Sequence, residues 1–168
     1  MIKNKVQENE KLVSLDLSKL FRNQESVLSL DITDWLFQGM LVKENEFRHH
    51  ILEHSWEQYQ NAHLVIQVNK QALITSWAYM LLVEAATPNC ISVHFSDKET
   101  VLSSLYKTEM DRFDWSVYQD KYVLIKGCSD HSIPAATFAY ATQKLMGVAK
   151  KIMYGEACSF VPIHSAKS

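Results

Sequence analysis

The chain's most reactive side chains are three thiols, Cys90, Cys128 and Cys158. Cys128 stands in "KGCSDHSIP" (126–134) and Cys158 in "YGEACS" (154–159). Each follows a short apolar run that reads as a strand, so both fall where a strand ends. Ser129, Asp130 and His131 follow Cys128, and Glu156 and Ser159 flank Cys158. Three chemistries fit these residue types. Two thiolates with His131 or Glu156 are a reasonable donor set for zinc or an iron–sulfur centre, although no CxxC or HxxxH spacing is present. Cys128 also lies a few residues before a predicted helix N-terminus, where the dipole and free N–H groups lower a thiol pKa. Cys158 would then serve as its resolving partner. Alternatively, both are small packing residues, the usual fate of a free cysteine. The spacing leaves all three open. Cys90 precedes an apolar run and reads as core. Adjacent histidines in "RHH" (48–50) do not share a helix face, so they read as a solvated patch. His54 lies one turn from His50 and could pair with it.

An internal duplication positions these groups. "WEQYQNAHLVI" (56–66) matches "WSVYQDKYVLI" (115–125) at an offset of 59 residues. The same offset pairs Ile74 with Ile133 and "VHFSD" (93–97) with "IMYGE" (152–156). The copies therefore span about 56–97 and 115–156. Each opens on an apolar, β-branched run, "HLVIQV" or "YVLIKG", expected of a strand buried on both faces. A helix follows: about Thr75 to Ala86, stopped before Pro88, and about Ile133 to Met146. In the second, Pro134 suits the first turn, Ser132 the N-cap and Gly147 the stop. Each copy closes on a second strand, "CISVHF" or "KKIMY". Between the copies, Ser96 and Glu99 have capping-box spacing ahead of a helical periodicity.

The region from His63 to Tyr154 thus reads β-α-β-α-β-α-β. The expected fold is α/β: three layers, a central mostly parallel sheet flanked by helices, built on a duplicated β-α-β unit. Ahead of it, "SVLSLDI" and "WLFQGMLV" read as strands, with a bulge or close approach at Gly39. "KENEFRHHILEHSW" reads as an amphipathic helix with Phe47, Ile51 and Leu52 on one side. No linker-like stretch divides the chain, so a single domain (1–168) with a tail over 1–12 is expected. In an open parallel sheet, ligands bind beyond the carboxyl ends of the strands. Cys128 and Cys158 should share that edge, with Asn69 and Glu99 at the matching places of the first copy.

Composition removes other classes. Seventeen Lys and Arg against 19 Asp and Glu give a net charge of −2, and no basic run interleaves with aromatics, so nucleic acid is not an expected partner. "WAYMLLVEAA" is too short to span a bilayer and carries Glu84. "MIKNKVQENE" lacks the apolar core of a secretion signal. With an odd number of cysteines, this points to a reducing cytoplasm rather than a disulfide framework. No G-x-G-x-x-G, Walker loop or G-x-S-x-G elbow occurs, so nucleotide, phosphate and hydrolase chemistry lose their usual signatures. An enzyme is not the favoured reading.

Four stretches, "DITDWLFQGMLVKENEFR" (31–48), "SWAYMLL" (76–82), "KGCSD" (126–130) and "MYGEACSFVP" (153–162), together resemble the bacterial domain of unknown function 2480 family. The resemblance runs from about Leu15 to Pro162. It implies no activity, because the family has no established one. It does imply an association with iron–sulfur cluster assembly and sulfur mobilisation, and hence a protein partner from that metabolism. In the family His131 falls at a variable loop position, which favours Cys128, Cys158 and Glu156 as ligands. The resulting expectation is an accessory protein that holds a metal, a cluster or a sulfur species. A protein-interaction or homo-oligomeric module is the first alternative, and a thiol enzyme acting through Cys128 the second.

Overall fold

The repeat read from Trp56 and Trp115 is wider in three dimensions than in sequence. The computed structural model describes residues 11–21, 26–127, 133–156 and 158–166. In chain order its strands and helices are β1 (Leu12–Asp16), β2 (Val27–Asp31), α1 (Glu44–Glu53), β3 (His63–Gln67), α2 (Ser76–Ala86), β4 (Ser92–His94), α3 (Lys98–Arg112), β5 (Tyr122–Lys126), α4 (Ala135–Met146), β6 (Lys151–Glu156) and β7 (Ser159–Ser165). This alternation is that of an α/β fold. The parallel strands are shared between two sheets, one for each copy, rather than gathered in one. They are ordered β2-β3-β4 and β1-β5-β6-β7. The chain correspondingly divides into a central unit, Asn23–Leu102, and a terminal unit, Met1–Arg22 with Ser103–Ser168.

Two similar strands near the N-terminus, "LVSLD" and "VLSLD", account for the division. The first pairs in parallel with β5, Leu12 opposite Tyr122 and Asp16 opposite Lys126. The second pairs in parallel with β3, Val27 opposite His63 and Asp31 opposite Gln67. Each copy of the repeat thus receives its own first strand, in the same register. The offset of 59 residues also maps α1 onto the 103–112 part of α3. Phe47 corresponds to Tyr106 and Ile51 to Met110, and all four are buried. The Trp56 indole N–H donates to the Ile51 carbonyl at 2.9 Å, and that of Trp115 to the Met110 carbonyl at 2.7 Å. A shielded indole N–H needs such an acceptor. Asn61 and Asp120 both take a left-handed conformation, each with φ of 60°. These two residue types tolerate it best after glycine.

In the central unit, Leu64 and Ile66 of β3 pack with Ile32, Phe47 of α1, and Ala78, Leu82 and Ala86 of α2. The terminal unit repeats this with Val123 and Ile125 of β5 against Leu17, Met110 of α3, and Ala141 and Leu145 of α4. The central residues of β3 and β5 are consecutively buried, so both strands are covered on both faces. Burying one such Leu or Ile side chain stabilises by about 1.5–3 kcal/mol.

Several local expectations change. "WLFQGMLV" is not a strand. Gln38 and Gly39 both have positive φ, 53° and 69°, and close a tight turn between Phe37 and Leu41. A primed turn of this kind needs left-handed backbone at two successive positions. Leu52 is 84% exposed, because the apolar side of α1 centres on Phe47 and Ile51 and is too narrow to include it. Asp97, not Ser96, caps α3: its carboxylate accepts from the Thr100 N–H at 2.8 Å and the Thr100 hydroxyl at 2.7 Å. Pro134 is the N-cap of α4 rather than part of its first turn. β7 is an additional strand that no buried alternation in "SFVPIHS" marks, since all but one of its residues are exposed.

Candidate functional site

Both sheets end their parallel strands at a carboxyl edge, and the two edges carry different chemistry. In the terminal unit β5 ends at Lys126 and its parallel neighbour β6 at Glu156. Lys126 Nζ lies 2.8 Å from Glu156 Oε2, so an ion pair joins the two strand ends. Beyond Glu156 the chain reverses into β7, with Glu156 opposite Ser159. Gly155 makes the reversal possible. Its φ is 121°, and an added Cβ would stand 2.7 Å from the Ser159 carbonyl oxygen. Cys158 sits in this turn and is exposed, as are Glu156 and Ser159. Cys128, Ser129, Asp130 and His131 lie outside the described residues. Among the described residues no three His, Cys, Asp or Glu side chains converge to hold a metal ion. Cys90 is half-buried against the central unit's core, where burial raises its thiol pKa.

The corresponding edge of the central unit is a cleft of about 660 Å³. Asp31 from the end of β2, Gln67 and Asn69 from the end of β3, Tyr79 from α2, and Phe95 and Asp97 beyond β4 line it. Here Gln67 and Asp97 occupy the places that Lys126 and Glu156 hold in the other copy, so no ion pair can form between them. Turn bonds fix the polar walls. Asp31 Oδ1 accepts from the Thr33 N–H at 2.8 Å, Thr33 Oγ1 from the Asn69 N–H at 3.0 Å, and Asn69 Oδ1 from the Gln71 N–H at 3.1 Å. Bonds from Thr33 hold the Asp31 carboxyl below the ordinary carboxylate range. Thr100 does the same for Asp97. Both are acceptors at neutral pH. The Tyr79 and Phe95 rings meet edge to face at 4.7 Å. The sequence carried a signal for this cleft in the copy alignment, where Asn69 stands opposite Cys128. No motif marked it.

The histidines take other roles. His50 and His54 do not pair with each other. Both pack on Trp35, with ring centroids at 5.8 and 5.1 Å. The Ser92 hydroxyl bridges His63 Nδ1 and His94 Nε2, at 2.7 Å from each. Burial lowers the pKa of His54, His63 and His94, and His94 lowers that of His63 further. Among the described residues no helix is long and apolar enough to cross a membrane.

Comparison with known proteins gives one match. The family model described as a protein of unknown function (DUF2480) aligns with residues 1–166. No curated protein and no solved structure matches the chain.

Proposed function

We propose, from the premise that the chain belongs to this DUF2480 family, that it is a cytoplasmic accessory protein without catalytic activity of its own. In this reading Cys128 and Cys158 together hold a thiophilic group: a soft metal ion such as zinc, an iron–sulfur cluster or a sulfur species. The observation that carries it is the Lys126–Glu156 ion pair at 2.8 Å between the ends of adjacent parallel strands. Cys128 and Cys158 are each two residues beyond one member of that pair. The exposure of Cys158 supports it as well, since a packing cysteine is normally buried. Glu156 has a second oxygen beyond the one that meets Lys126 and serves as the auxiliary ligand. Ser129, Asp130, His131 and Ser159 flank the thiols in sequence. The partner is a protein of iron–sulfur or sulfur metabolism that delivers or receives the group.

Equilibrium dialysis against zinc, with metal analysis of untagged protein, tests this. About one zinc per chain in wild type, and a fall of roughly tenfold or more in affinity for Cys128→Ser and for Cys158→Ser, is expected. Substoichiometric zinc in all three proteins, with thiols inert to sulfur donors, contradicts it.

One observation favours a second reading, a homo-oligomeric module. β7 is an edge strand with Phe160, Val161 and Ile163 exposed by 43%, 58% and 49%. Such an edge is a template for pairing, and a second copy of β7 is its simplest occupant. Light scattering on Val161→Lys distinguishes the two. A loss of dimer with zinc binding intact would assign the edge to self-association alone.

A further inference from the structure

The cleft at the central unit's carboxyl edge has no part in the thiol reading, and its donor and acceptor set is selective. Its polar groups fall into two classes. Asp31 and Asp97 are acceptors, fixed by turn and cap bonds. Asp31 ends β2 and Asp97 lies three residues beyond β4, with β3 between these two strands, whose backbones are about two strand spacings, or roughly 10 Å, apart. Gln67, Lys70 and Tyr79 also line the space, and their side-chain amide, ammonium and hydroxyl have no hydrogen-bond partner among the described residues. Ile66, Val68 and Phe95 supply an apolar wall. About 660 Å³ lies within the range of small-molecule sites.

Ligand classes can be separated by what they leave unpaired, since an unmatched polar group in a closed contact costs more than a matched one returns. A phosphate or other anion pairs with Lys70 but faces two carboxylates. A diamine satisfies both carboxylates but repels Lys70 and gives the amide N–H groups no acceptor. A hydroxyl is donor and acceptor at once. Several hydroxyls on a ring about 5 Å across can meet carboxylates, amide, ammonium and phenol together. Such a ring also turns a C–H face to the Phe95 and Tyr79 pair. We propose that this cleft binds a neutral polyhydroxylated small molecule, either a free sugar or the ribose of a nucleoside. The copy comparison agrees with this. Replacing Lys126 and Glu156 by Gln67 and Asp97 turns a pair that satisfies itself into an amide and an acceptor available to a ligand.

Calorimetric titration of the full-length protein tests it, with D-glucose, D-ribose, adenosine, 2′,3′-dideoxyadenosine, inorganic phosphate and putrescine as probes. Saturable binding of a sugar, or of adenosine, is expected. Sugar binding identifies a free sugar as the source, whereas adenosine binding without ribose binding identifies a nucleoside. Gln67→Leu and Tyr79→Phe remove groups that bond to nothing in the described residues, so each should keep the wild-type melting temperature and weaken binding about tenfold. Cys128→Ser and Cys158→Ser should bind as wild type, which keeps this result independent of the thiol site. The proposal is overturned by any of four results: no saturation by any neutral probe up to about 10 mM, tighter binding of phosphate or putrescine, equal affinity for adenosine and its dideoxy form, or unchanged affinity in both cleft variants.

Discussion

Thr137 and Gly127 show at the residue scale how the second copy departs from the first. Thr137 is 2% exposed, and its hydroxyl has no partner among the described residues. The corresponding residue of the central unit is Ala78, also buried. A buried hydroxyl without a partner costs about 1–3 kcal/mol. Thr137→Val, which keeps the shape, should therefore raise the thermal midpoint by an amount equivalent to about 1 kcal/mol. A lower midpoint would mean that the hydroxyl is bonded. Gly127 stands where the first copy has Val68. A Cβ there would fall inside the Phe138 ring's contact envelope, so Gly127→Ala should destabilise by about 1–3 kcal/mol through overpacking, measured by denaturant unfolding. Neither feature was legible in the sequence, because a clash or an unpaired hydroxyl depends on which side chains meet. Cys158 was legible as a strand-end residue, since strand length and turn chemistry are local. Of the cleft residues, Asn69 was marked only by its place opposite Cys128 in the copy alignment. Asp31 and Gln67 are ordinary strand-end residues until the pairing of β2, β3 and β4 brings the cleft together.

At the scale of elements, periodicity and stop residues locate the helices to within a few residues of their ends. The expected N-caps do not follow: Asp97 rather than Ser96 caps α3, and Ser132 lies outside the described residues. Strand partnership is not legible in the same way. Nothing in "LVSLD" or "VLSLD" says which copy each joins, because register and partner are set by long-range packing. In the terminal unit α4 is tied to α3 through Asp111. Its carboxylate accepts from Tyr140 and pairs with Lys107 and Lys144, each at 2.8 Å. These partners hold its pKa well below the carboxylate range. A group depressed in this way contributes stability above its unfolded value near 3.8 and loses it as pH falls further. Asp111→Asn should flatten the acid limb of the stability curve below about pH 4. The central unit responds at higher pH. The imidazoles of His54, His63 and His94 are depressed by burial, so the unfolded chain binds their protons first. Their contribution is complete above about pH 6.5 and is lost as pH falls through the lower folded values. Urea midpoints should fall from pH 7 to pH 5, and His63→Gln with His94→Gln should reduce the fall. An unchanged slope in that double variant would refute the assignment.

Across the whole molecule, one β-α-β unit is used twice and given two chemistries. The duplicated cores bury corresponding positions: Phe47 and Tyr106, Ile51 and Met110, Leu82 and Ala141. The copies also differ in chemistry at their carboxyl edges. One edge has a polar cleft, and the other has an ion pair with a cysteine two residues beyond each partner in sequence. The central claim is that Cys128 and Cys158 act as a pair. Phenylarsine oxide, which bridges two thiols a few ångströms apart, tests this most directly. Intact-mass analysis should show one arsenical per wild-type chain, with both thiols protected from alkylation and no stable adduct in Cys128→Ser or Cys158→Ser. Independent alkylation of the two thiols in the presence of the arsenical, with no bridged adduct in the wild type, would contradict it.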